Sequence, residues 1–236
     1  MALRVAPWGS GFGDGSEAAP LDSVDDALGR VADAGGGQIL LSAGSWEVGL
    51  DIGGSHGDLL LAGRCPELSA LTGVPGAETL HLRGGGPTLR DLSVVGGEPA
   101  ISISGQVPAH VRVRMERVAV RESLDYGVLA VGTGADLTLL DCTIADTGFG
   151  AQRFGDGLEI AFGATVEANH LHITGAAGFG VMVFGNQTTT LLAEDLEVID
   201  ASDAGLSSQG SGATVELHGG RISSPTPPED GEAAGV

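Results

Sequence analysis

Five side chains in the middle of this chain carry the groups that proton transfer and sugar recognition need: Asp125, Tyr126, Arg153, Asp156 and Glu159. A carboxylate or a tyrosine hydroxyl moves a proton when a partner sits within hydrogen-bond reach and its pKa is tuned to the task. An arginine offers a planar fork that holds a carboxylate, so Arg153 suits a carboxylated sugar. Tyr126, Arg153 and Asp156 are therefore the candidate catalytic set. Tyr126 with Arg153 would act as an acid/base pair, either of them handling the proton. Asp125 and Glu159 join them as candidate substrate-binding residues. The same residues also fit a plain turn held by an Arg153–Asp156 or Arg121–Asp125 ion pair.

These groups meet only if the chain returns on itself about every 25 residues, and its repeat does that. A short phrase recurs six times, closing on Val94, Val120, Ile144, Ile173, Val198 and Ile222. A glycine landmark follows most of these anchors: Gly127-Val128, Gly157-Leu158, Gly180-Val181 and Gly205-Leu206. Fixed-period similarity of this length marks a repeat architecture. Within each repeat, apolar residues lie seven, five, two and zero positions before the anchor, as in Leu137, Leu139, Cys142 and Ile144. The break in alternation predicts a tight corner three before the anchor, at Asp91, Arg117, Asp141, His170 and Asp195. Short polar side chains there bond turn backbone. Each repeat thus holds three short strands with no helix between them, which excludes βαβ units and predicts a coil with an apolar interior.

Stacking the coils turns sequence positions into columns. Ser102, Leu129, Glu159, Met182 and Ser207 form one outward column, and Ser104, Val131, Ala161, Phe184 and Gln209 the next. Leu129, Val131, Met182 and Phe184 predict an apolar patch. It would serve as a stacking surface for sugar rings or a contact with another chain. Leu129, Met182 and Phe184 are accordingly candidate substrate-binding residues. His170 and His172, near Asp141 and Glu197 in adjoining coils, fall short of a metal-ligand set, and no metal ligands are assigned.

Composition bounds the partners. There are 31 acidic residues against 11 arginines, with no lysine, and a net charge of −20. Such a surface repels nucleic acid and anionic membranes. No hydrophobic run spans a bilayer, so no membrane insertion is expected. Cys142 sits at an inward position and reads as a small buried hydrophobe; Cys65 lies in a turn-like segment.

The repeat phrases and the glycine landmark resemble the right-handed parallel β-helix of the pectin-lyase-like superfamily, over residues 36–224. The resemblance implies an all-β solenoid with a short N-terminal capping helix at residues 23–34, where Ser23 and Asp26 form a capping-box signature. It divides the chain into a leader or entry loop at residues 1–20, a β-helix domain at 21–224, and a Pro-rich tail or start of a further coil at 225–236. In lyases of this kind the outward face carries acidic Ca2+ ligands and a basic catalytic residue. Here that face shows one acid, Glu159, among apolar residues. The resemblance therefore implies a non-catalytic extracellular module, structural or carbohydrate-binding. The alternatives are a polysaccharide lyase, hydrolase or epimerase acting on acidic polysaccharide, and an oligomeric surface assembly component. No cofactor is expected apart from Ca2+. The expected partners are a polysaccharide or another protein chain, including a second copy joined through the apolar face. The resemblance implies a secreted or cell-surface location, the signal having been removed; a cytoplasmic one is also compatible.

Overall fold

The computed structural model describes residues 1–106 and 108–223. The expected tail at 225–236 lies outside them. The chain forms a β-solenoid of about 7 turns. Its seven-stranded face stacks Leu50–Ile52, Leu80–Leu82, Ile101–Ser104, Tyr126–Val131, Asp156–Ala161, Phe179–Phe184 and Ala204–Gln209, each strand parallel to the next. A larger sheet forms the rest of the wall. It includes Thr88–Val95, Val111–Arg121, Thr189–Ile199 and Ala213–Ile222.

The register follows the expected columns: Ser102 pairs Leu129, Leu129 pairs Glu159, Glu159 pairs Met182, and Met182 pairs Ser207. Inward residues such as Leu139, Ile160, Val183 and Val198 are fully buried. The corner three before each anchor is a left-handed residue, with φ of 54° at Asp91, 50° at Arg117, 52° at Asp141, 53° at His170 and 51° at Asp195. Asp and His tolerate this conformation better than most side chains. A second left-handed column, two after the anchor, was not anticipated: Glu122, Asp146 and Asp200 have φ of 54°, 56° and 56°. Strands on either side of the first corner run on with little interruption, so several expected strand pairs appear as one bent strand.

The glycine landmark has a steric cause. A Cβ on Gly127 would meet Ile144 Cγ2 at 2.5 Å, and one on Gly157 would meet Ile173 Cγ2 at 2.6 Å. The next coil's anchor occupies the space a side chain would need.

The capping helix spans Val24–Asp33, with Ser23 Oγ accepting from the Asp26 N–H at 3.1 Å. Val24, Ala27, Leu28 and Val31 are buried and close the core at that end. Part of the stretch read as a leader or entry loop, residues 1–20, is built into the solenoid. Ala2–Val5 is a strand that pairs in parallel with Gln38–Leu41, because Leu3 and Val5 alternate into the core. Cys65 and Cys142 are both free, and Cys142 is buried.

Candidate functional site

The candidate residues gather where Tyr126–Val131 lies beside Asp156–Ala161, with Tyr126 opposite Asp156 and Leu129 opposite Glu159. Between them runs the longest turn of the solenoid, and its backbone needs partners away from any ladder.

Asp125 provides them. It is 3% exposed and left-handed, with φ of 59°. Its Oδ1 accepts the N–H groups of Gly150 at 3.1 Å and Phe154 at 3.3 Å, and its Oδ2 accepts that of Gln152 at 3.2 Å. One coil earlier, Glu98 accepts the Ala151 N–H. Two carboxylates thus hold four N–H groups of the loop backbone in place. Asp125 therefore positions the loop, and its oxygens are largely committed there instead of facing a ligand.

Asp156 is also 3% exposed, and its Oδ1 accepts the Phe179 N–H at 2.8 Å. Burial, with the Asp203 charge behind it, raises its pKa above the usual carboxylate range. Neither of the ion pairs weighed from the sequence forms among the described residues. Asp125 and Asp156 take backbone N–H groups, and Arg153 stands exposed at a left-handed position, φ 63°.

Glu159 sits between Leu129 and Met182 in its column. Burial pushes its pKa from 4.5 up to about 7, and the Asp156 charge adds to the rise; the Tyr126 side chain acts the other way. Burial chiefly, then the carboxylates of Glu159, Asp156 and Asp125, drive the Tyr126 pKa upward. Tyr126 is thus held as a neutral hydroxyl. Its ring stacks on Phe154, centroids 5.2 Å apart at 24°. Phe154 is 42% exposed and extends the aromatic surface outward. The sequence signal for Phe154 is an aromatic residue among glycines in the longest loop.

Leu129, Val131, Met182 and Phe184 are each half-buried on the same face. Phe162, 51% exposed, packs edge-on to Phe184 with centroids 5.7 Å apart. The patch is therefore divided: Glu159 separates Leu129 from Met182. His170 bridges Asp141 at 3.1 Å and Asp195 at 3.4 Å, while His172 meets Glu197 at 3.0 Å, so the two histidines serve different partners. Among the described residues no cluster of three or more His, Cys, Asp or Glu is arranged to hold a metal ion. No helix among them is long and apolar enough to cross a membrane.

No protein-family model matches the chain. No curated protein matches it either. Solved structures do. The crystal structure of the pectate lyase Pel9A superposes with a TM-score of 0.64 at 14% identity, over 84% of this chain and 54% of that one. A rhamnogalacturonan lyase gives a TM-score of 0.58 at 10% identity, over 93% and 62%. ORF18 of Geobacillus virus E2 gives 0.58 at 12% identity, over 91% and 47%. The chain spans 54%, 62% and 47% of the lengths of these three, respectively. At such identities the likeness concerns the fold: this chain is a right-handed parallel β-helix of the pectin-lyase-like fold.

Proposed function

We propose that this chain binds a polysaccharide on its seven-stranded face, around Tyr126, Phe154 and Glu159, without cleaving the glycosidic chain. One observation carries the reading: an exposed aromatic plane, Phe154 on Tyr126, stands beside a hydroxyl and a carboxyl that is half-protonated near neutral pH. A ring to stack on and convergent hydrogen-bonding groups are what recognition of a sugar uses. The acidic surface favours a neutral polymer over a polyuronate. A location outside the cell belongs to this reading. The test is binding to neutral polysaccharides and polyuronates, with cleavage scored in the same samples. Binding without cleavage is expected, and Phe154→Ala weakens it about tenfold, ~1.4 kcal/mol.

A second reading is elimination on an acidic polysaccharide. It is favoured by the fold shared with a pectate lyase and a rhamnogalacturonan lyase, and by the exposed Arg153, which has no ion-pair partner among the described residues. There Arg153 holds the uronate, and any Ca2+ requirement appears as calcium-dependent formation of an unsaturated product. Cleavage that survives Arg153→Ala removes this assignment. A contact between two copies through Leu129, Met182, Phe184 and Phe162 is read out separately, by light scattering at high concentration.

A further inference from the structure

Three coils before the aromatic loop, the same face carries a second set of reactive groups. His81 lies at the centre of the strand Leu80–Leu82, between two fully buried leucines, so its ring points outward. Its Nε2 is 2.9 Å from Ser104 Oγ, at the end of the neighbouring strand Ile101–Ser104. Its Nδ1 faces Glu78 Oε2 at 3.6 Å. The other carboxylate beside His81, Asp51 on the preceding coil, is taken by Arg83 at 2.5 and 2.6 Å. Glu78 thus faces the Nδ1 side as a charge at ion-pair distance, longer than a hydrogen bond. That arrangement leaves Nε2 free to accept from the serine hydroxyl. Ser102, in register with His81 and two residues before Ser104, is 4% exposed, and its sealed Oγ has no partner among the described residues. A buried hydroxyl without a partner is costly unless something fills its place.

We propose that Ser104, His81 and Glu78 form a nucleophile, base and orienting acid for acyl transfer, acting on ester groups carried by a polysaccharide. Nucleophile and base are within hydrogen-bond reach, and a third group orients the base. Ser104 and His81 stand on adjacent strands of a stacked sheet, which fixes their geometry, and Glu78 stands two residues before the His81 strand. Ser104 Oγ attacks the ester carbonyl carbon, and its proton passes to His81 Nε2. Glu78 faces the imidazolium that forms. Collapse breaks the bond to the sugar oxygen, which takes the proton from His81 and leaves as the alcohol. Water then attacks the acyl-serine, its proton going to His81. The carboxylic acid leaves and Ser104 is restored. Ester and water give alcohol and acid, with no other reactant.

The substrate class rests on the recognition reading above. Ser104 and His81 are half-buried on an open face, which suits a substituent on a surface-bound polymer. Glu159 is two strands from Ser102 on that face, on the order of 10 Å. A polymer lying across Tyr126 and Phe154 therefore reaches Ser104.

A fluorophosphonate probe tests the serine without requiring any sugar. The expected result is a single adduct, mapped to Ser104 by mass spectrometry, and hydrolysis of para-nitrophenyl acetate. Both are lost in Ser104→Ala, and hydrolysis falls about 100-fold or more in His81→Ala. Glu78→Gln is expected to lower kcat with KM unchanged and to shift the pH profile. No adduct on the folded protein, an adduct on another serine, or hydrolysis that persists in Ser104→Ala overturns the proposal. Polysaccharide binding without an adduct leaves recognition standing and removes the ester chemistry; an adduct without polysaccharide binding does the reverse, and then the substrate class falls.

Discussion

The corner ladder and the seven-stranded face use the same residue types to opposite ends. At the corner, Asp91 receives the Arg117 guanidinium at 2.6 and 3.1 Å in the open, and that hydrogen bond lowers its pKa. On the face, Glu159 is covered by its apolar column neighbours and stands near another carboxylate, so its pKa climbs to about 7. The corner spends its acids on left-handed turns and surface pairs, where solvent is available. The face hides its acids under the loop and beside Leu129 and Met182. A carboxylate kept partly protonated at neutral pH has uses in recognition and chemistry that an ordinary salt-bridged aspartate lacks.

Removing Asp125 should break the face most severely. Asp125→Ala leaves three loop N–H groups without their acceptor and costs about 3 kcal/mol in denaturant unfolding. Polysaccharide binding is lost with it, since Phe154 is no longer held on Tyr126. Asp141→Ala at the corner is the matched control and should leave binding unchanged.

The next effect concerns pH, and its sign separates the two regions. Glu159 binds its proton more tightly folded than unfolded. Its contribution to stability is therefore fully present below 4.5 and is lost as the pH rises to about 7. Glu159→Gln should remove that slope and stabilise the protein by roughly 2 kcal/mol above neutral pH. Asp91 behaves in the opposite way: its contribution is present above its unfolded pKa of 3.8 and is lost on acidification below that value. Unfolding curves of the parent and Glu159→Gln across this range decide the matter. Equal slopes in both would place the carboxyl in water.

The smallest effect is at the corner itself. Asp91→Asn removes the pair with Arg117 and should lower the melting temperature by less than about 2 °C. Salt at about 1 M should erase even that difference.

Much of the scaffold was legible in the sequence. Alternation and the anchor spacing fixed the inward residues, and the pairing of Ser102, Leu129, Glu159, Met182 and Ser207 follows directly from them. The corner at Asp91 to Asp195 was visible because one break in alternation recurs with polar residues. The left-handed column at Glu122, Asp146 and Asp200 was hidden, since glycine takes that place in other coils, as at Gly96 and Gly175. The strand Ala2–Val5 was hidden because four residues outside the repeat carry no period.

The candidate site was legible as a gathering of residues but not in their roles. Composition shows acids, an arginine and an aromatic near one loop. It does not show that Asp125 turns inward to bind backbone N–H groups, or that Tyr126 is desolvated and ringed by carboxylates. The set formed by Glu78, His81 and Ser104 was invisible for a related reason. Its members come from two coils, and only the register brings His81 to Ser104.

The most direct test is the affinity for a neutral polysaccharide, measured from about pH 5 to about pH 9 on the parent and on Glu159→Gln. A sugar that covers Glu159 favours its protonated form, so parent affinity should fall as the pH passes about 7, and the glutamine variant should bind with a flat profile. No binding at any pH, or the same pH profile in both proteins, would contradict a sugar seated on this face.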